Sequence, residues 1–371
     1  MKRNEEALTK ILTPERLRSL AELIEKHDAV MSSESVADNR ERAAAMSIEE
    51  KMAQMLRNSL GKDYPYDPPF RAAARKWQSI FRQKVLGLDL YDRGYGNYLT
   101  EKDAREYRNF CPEFLPAIKA ELGTAYKAPL WANMLRSEHI PINIFVPMRS
   151  DLLAAKKVFN KLFGTERIEE VTAILIEHKP KKATHLNDNT AFDAYLSYLT
   201  PEGKRGGIGI EVKYTEEAYP LKKGSKEERD TVGREGKRYI EVTNTCGYYH
   251  ADSWDDLITD DFRQIWRNHI LGASMVQVFD EEHIDEFTSV HLYPSWNSHF
   301  THTLPEYRAL LTEKGNSTFL DLTYERLFSL LDEFYIGERE AKWISYLKER
   351  YISPEIQELI KDYQETSLRQ D

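Results

Sequence analysis

The chain predicts a mixed α/β fold: an αβββαβ core on a mixed sheet, with helical additions before and after it. Three observations carry this. The apolar period is helical at 151–163, turns to that of strands between 170 and 215, and is helical again at 260–276 before a further strand at 287–294.

Residues 1–60 read as helices, with apolar positions at helical spacing in TKILTPERLRSLAELIEKH and MSIEEKMAQMLRNSL and a polar loop, MSSESVADNRER, between them. The prolines of KDYPYDPP (62–69) stop any helix and mark a boundary, after which FRAAARKWQSIFRQKVLGL is helical. From 94 to 165 the pattern is mixed. Gly94, Gly96 and Asn97 suggest turns, 101–122 and 128–138 helices, and INIFVP (142–147) is a short apolar run. The helix at 151–163 is clearer: Ser150 is placed to cap it, Leu152, Leu153, Val158, Phe159 and Leu162 form its apolar stripe, and Gly164 is placed to end it.

EVTAILIEH (170–178), TAFDAYLSYL (190–199) and GIGIEVKYT (207–215) read as strands, the last two joined as a hairpin by PEGKRGG. DDFRQIWRNHILGASMV (260–276) is a helix and FTSVHLYP (287–294) the fourth strand. Residues 305–371 return to helices around one extra strand, STFLDLTY. The expected organisation is a helical region at 1–125, an αβββαβ core at 126–300 and a mostly helical extension at 301–371.

Of the 371 residues, 41% are hydrophobic and 11% aromatic, 21 of them tyrosines, a folded rather than disordered composition. A net charge of −9 argues against a protein that coats nucleic acid indiscriminately. No apolar run approaches bilayer length and the start MKRNEEALTKILTPERL lacks a secretory apolar stretch, so a cytoplasmic protein without membrane contact is expected. Cys111 and Cys246 are too few for a disulfide framework and read as buried free thiols.

Chemistry concentrates in 207–214. Strand alternation puts Gly209, Glu211 and Lys213 on one face and Ile208, Ile210, Val212 and Tyr214 on the other. The apolar set faces the core, leaving a carboxylate and an ammonium side by side, with room at Gly209 for a phosphate to approach. Glu211 offers hard oxygen to a divalent metal, and Lys213 can orient an attacking water and offset phosphate charge. On the preceding strand Ala191, Asp193 and Tyr195 share a face, so hairpin pairing brings Asp193 towards Glu211. Glu177, following Val171, Ala173 and Leu175 on one face of the first strand, is a further ligand candidate.

Asp193 followed by Glu211-Val212-Lys213 on a hairpin, within αβββαβ, resembles the PD-(D/E)XK nuclease superfamily, with Phe192 standing where the motif has proline. TAFDAYLSYLTPEGKRGGIGIEVKYTE with RQIWRNHILGAS is similar to bacterial restriction-endonuclease-like proteins of that superfamily, over roughly residues 125–300. The resemblance implies a restriction-endonuclease-like fold and a Mg²⁺-dependent DNA endonuclease of restriction or phage-defence type, Mn²⁺ substituting. It implies Asp193 and Glu211 as metal ligands and Lys213 as the catalytic lysine. Glu138 could be the carboxylate that the first helix often contributes, or a solvated glutamate. Gln264 falls on the helix beside the site, where relatives place a polar residue. Arg267 and His269 are candidates for phosphate contact. The alternative is a catalytically weak nuclease fold acting as a nucleic-acid-binding or assembly module. The partners expected are DNA, a second copy in a homodimer, or a defence-complex protein.

Three further signals stay open at this level. LKKGSKEERDTVGREGKR (221–238), with Lys222 and Lys223, reads equally as an arm over the DNA backbone and as a solvated loop, as does KPKK at 179–182. His299 and His302 have metal-like spacing, but no nearby cysteine or third histidine completes a site. Tyr248, Tyr249, Trp254 and Trp296 suit base stacking or core packing.

Overall fold

A computed structural model describes residues 60–88, 95–123, 126–218, 220, 222–225 and 237–367. The helices expected before residue 60, the turn at Gly94, and Lys226, Arg229 and Arg234 lie outside the described residues. The main elements are α1 (Pro69–Lys84), α2 (His139–Met148), α3 (Leu152–Phe163), β1 (Glu170–His178), β2 (Phe192–Leu199), β3 (Arg205–Val212), α4 (Lys237–Cys246), α5 (Arg263–Gln277) and β4 (Glu286–Tyr293). There follow α6 (Ser298–Ala309), β5 (Phe319–Thr323), α7 (Tyr324–Phe334), α8 (Glu338–Tyr351) and α9 (Pro354–Ser367).

The strands form one sheet in the order β1-β2-β3-β4-β5, antiparallel through β3 and parallel from β3 to β5. This is the mixed sheet of the αβββαβ expectation, and STFLDLTY supplies its fifth strand. Alternation sends Ile208, Ile210, Val212, Ala194, Leu196, Val290 and Leu292 to one core, shared with Val158 of α3 and Leu327 and Leu331 of α7. The opposite face carries Phe287 and Phe319, covered by Trp266, Ile270 and Leu271 of α5. Helices therefore cover both faces. The first core takes its members from between Leu60 and Ile360, drawing in described residues from before 126 and after 300. Within it Trp77 and Gln78 of α1 donate to the carbonyl of Arg350 in α8. Among the described residues, no helix is long and apolar enough to cross a membrane.

Local departures from the sequence reading have physical causes. The cap of α3 is Asp151, not Ser150: its carboxylate accepts the Ala154 N–H at 2.9 Å. Gly164 ends that helix in the left-handed conformation, φ 69°. The short apolar run INIFVP is the body of the helix α2, where Pro141 falls in the first turn and Pro147 in the last, so the helix keeps most of its hydrogen bonds. The helical patterns at 101–122 and 128–138 are broken into short pieces, Glu101–Arg105, Leu115–Leu122 and Ala128–Trp131. In β1 the register shifts between Val171 and Ala173, so Val171 and Ile174 both face the core and Leu175 is exposed. The single face Val171-Ala173-Leu175-Glu177 therefore does not exist.

Candidate active site

Glu211 and Lys213 leave β3 on the face turned to α5, as alternation requires, and both are buried, at 6% and 7% exposure. Lys213 Nζ donates to Glu211 Oε1 at 2.6 Å, and Gln264 Nε2 donates to the same oxygen at 2.7 Å. Asn268, one helical turn beyond Gln264, donates to Glu211 Oε2 at 2.5 Å. Two amides of one helix and one ammonium thus hold a single carboxylate in a fixed orientation.

Asp193 enters from β2. The β2–β3 ladder ends at the pair Ala194–Ile210, and there the Asp193 carboxylate takes over, Oδ2 accepting the Val212 N–H at 2.7 Å. Burial raises the Asp193 carboxyl well above the ordinary carboxylate range, and repulsion from Glu211 adds to this against the opposing pull of Lys213 and the Val212 N–H. Burial works to lower the Lys213 ammonium, but Glu211 and Asp193 outweigh it and hold that group above its usual value. Lys213 is therefore a cation in this arrangement. Glu177 stands at the end of β1 in the left-handed region, φ 52°, which costs a non-glycine residue about 1–3 kcal/mol and recurs at functional sites. Partial burial raises its carboxyl, Lys179 opposes, and Glu211 and Glu138 push it further.

Neighbours complete the frame. Glu216 accepts from the N–H groups of Tyr214 and Ser137, tying the end of β3 to the segment before α2. His291 lies opposite Glu211 in the parallel β3–β4 register, is 2% exposed, and has a buried Nε2 without a hydrogen-bond partner. Burial first, and then the Lys213 charge, hold its imidazole well below the ordinary value, hence neutral.

The structure thus brings together Asp193, Glu211, Lys213 and Gln264, with Glu177 in electrostatic reach. Glu138 is half-exposed and paired with Arg136, and touches the cluster only through its repulsion of Glu177. His269 is not a phosphate contact: it is fully buried, bonded to Tyr307 Oη at 3.0 Å and Thr318 Oγ1 at 2.8 Å, and burial lowers it to about 3. Arg267 is committed to Thr190 Oγ1 at 2.9 Å, Tyr239 Oη at 3.1 Å and Asp188 at 3.3 Å, fastening the β1–β2 loop to α5. Lys222 and Lys223 are exposed, as are Lys179, Lys181 and Lys182. The expected room beside Gly209 is filled, since a Cβ there would lie 2.4 Å from Cε1 of Phe192. Tyr248, Tyr249 and Trp296 are buried in packing contacts. His299 and His302 bond within their own helix, to Thr303 Oγ1 and to the Ser298 carbonyl. Cys111 and Cys246 are buried and free. Asn268 escaped the sequence reading, although its spacing of four from Gln264 places both on one helix face.

A mixed sheet carrying a carboxylate near the start of one strand and an E-x-K pair on the next is the arrangement that the resemblance to PD-(D/E)XK nucleases led us to expect. A family model described as the PD-(D/E)XK nuclease superfamily matches residues 65–353, and the chain belongs to that superfamily. The match takes in α1 and the whole of α8 as well as the sheet. No curated protein and no solved structure gave a match.

Proposed function

We propose that this nuclease is a Mg²⁺-dependent DNA endonuclease of restriction or phage-defence type, Mn²⁺ substituting. The observation that carries the reading is the Glu211–Lys213 pair at 2.6 Å with the raised Asp193 carboxyl beside it. DNA as substrate rests on the similarity to restriction-endonuclease-like proteins.

The residues fit a hard divalent cation. Asp193 and Glu211 present oxygen donors, Glu177 adds a nearby carboxylate, and Glu211 and Glu177 both repel the Asp193 carboxyl, which burial first of all raises. A cation held there would supply Lewis-acid stabilisation of charge on the phosphate oxygens. Lys213, kept protonated, donates to a phosphate oxygen or orients the attacking water. Gln264 and Asn268 fix Glu211, so that no reorganisation is needed as charge develops. Glu138 stands outside this set.

Plasmid, linear duplex, single-stranded DNA and RNA incubated with Mg²⁺, Mn²⁺ or EDTA test the proposal. Cleavage of DNA by the parent should stop with EDTA and fall by at least about 100-fold in Asp193→Asn and Lys213→Met. Undiminished cutting by both variants would refute the site, and cutting of RNA alone would refute the substrate. The protein donors already on both Glu211 oxygens, two on Oε1 and one on Oε2, favour one second reading, a nuclease fold that serves as an assembly module. A parent inactive on every substrate until a partner protein is added would support it.

A further inference from the structure

Away from this centre, the β1–β2 loop and the turn between α5 and β4 bring His185, Asp280 and Glu282 together, with one ligand-type atom of each within 4.8 Å of the others. His185 is 1% exposed. Its Nε2 lies 3.6 Å from Glu282 Oε2 and 3.8 Å from Asp280 Oδ2, and neither Nε2 nor Asp280 Oδ2 has a hydrogen-bond partner although both atoms are buried. Orphaned buried polar atoms are costly, and here two face each other.

The tautomer follows from the neighbour on the other side of the ring. Ser274 Oγ donates its one proton to the Leu271 carbonyl at 2.6 Å, so towards His185 Nδ1, 3.1 Å away, it can only accept. Nδ1 therefore carries a proton, and in the neutral ring Nε2 turns a lone pair towards two carboxylates. A protonated ring would form a charge-assisted bond near 2.8 Å, about 1 Å shorter than either separation found. Two ligands on a tetrahedral ion with bonds of about 2.0–2.2 Å are about 3.4 Å apart, close to what is observed.

The surroundings hold the donors in place. Glu282 Oε2 also accepts the Lys181 N–H at 2.6 Å, Asp280 Oδ1 accepts the Glu282 N–H at 2.9 Å, and Arg238 donates to the carbonyls of His185 and Thr184. A nitrogen ligand oriented by a hydrogen bond on its far side is the arrangement that metal-binding histidines use.

We infer that His185, Asp280 and Glu282 form a second cation site, which takes one zinc-class divalent ion with solvent in the fourth position and pins the β1–β2 loop to the end of α5. The imidazole ligand selects zinc over magnesium, which the all-oxygen nuclease centre would take. The site does not depend on the nuclease centre being active.

The test is made on the full chain carrying Asp193→Asn, so that the nuclease centre contributes least. After stripping with EDTA, reloading with Zn²⁺ and dialysis, elemental analysis should find one zinc per chain, and zinc should raise the thermal midpoint. Adding Asp280→Asn or His185→Gln should remove at least about nine-tenths of the metal and the shift. Absence of retained zinc in Asp193→Asn, or full retention in the double variants, overturns the inference. Should the double variants fail to fold, anomalous diffraction from the zinc-loaded Asp193→Asn protein decides: a peak among His185 Nε2, Asp280 and Glu282 upholds the site, and peaks only elsewhere overturn it.

Discussion

Asn268 donates its side-chain amide to Glu211 Oε2, and at 5% and 6% exposure neither partner has water to replace the other. Asn268→Ala should cost about 1–3 kcal/mol of stability, the usual penalty for orphaning a buried acceptor. Asn268→Asp, which sets a second carboxylate against Glu211, should cost more and lower cleavage at least about tenfold. Urea unfolding and a plasmid assay measure the two effects; an Asp variant as stable and active as the parent would sink the assignment.

The raised Asp193 carboxyl has a sign that can be worked out. Its folded value lies above the unfolded one, so the native state binds the proton more tightly and the metal-free protein loses stability as pH rises from the ordinary carboxylate range through the raised value. Asp193→Asn removes that term while keeping an oxygen for the Val212 N–H. Without metal, the variant should match or exceed the parent in urea resistance at pH 7. With Mg²⁺ near 100 times its dissociation constant the parent should gain about 2.7 kcal/mol and the variant little.

Acid should act on His269. Burial and then Arg308 lower it to about 3, so the unfolded chain takes up the proton first and stability is lost as pH falls from about 6.5 towards 3. At pH 4.5 this single group accounts for about 2.7 kcal/mol. His139 and His291, also held well below their usual value by burial, add to the slope. His269→Gln should flatten, not abolish, the stability loss between pH 7 and 4.5; an unchanged slope would contradict it.

Much of this could be read before any coordinates, and the failures are specific. The β3 face was legible because a strand repeats every two residues, so Glu211 and Lys213 could be sided from sequence. Asn268 was not, because which part of a helix meets a given strand depends on where it crosses the sheet. The same gap misplaced His269: nothing local shows that 307–319 folds back over that flank of α5. The bulge in β1 broke the alternation that grouped Glu177 with Val171, and the prolines at its two ends disguised α2.

Gly272 permits a test of packing with an unusual sign. In a helix interior, Gly→Ala normally stabilises by about 1 kcal/mol. Here a Cβ would lie 2.0 Å from Cε1 of Phe287 on β4, so Gly272→Ala should instead destabilise by about 1–3 kcal/mol. Phe287→Leu in the same chain should recover part of that, and a double-mutant cycle in urea measures the coupling.

These contacts string along one element. From its start, α5 offers Gln264 and Asn268 to Glu211, Arg267 to Asp188, Gly272 to Phe287 and Ser274 to His185. Adding one residue to a helix turns everything beyond it by about 100° and advances it by about 1.5 Å. The stretch from Gln264 to Ser274 should therefore accept changes of letter at its outward positions but no change of length. Natural variation in size ought to be absorbed in the connections on either side of it.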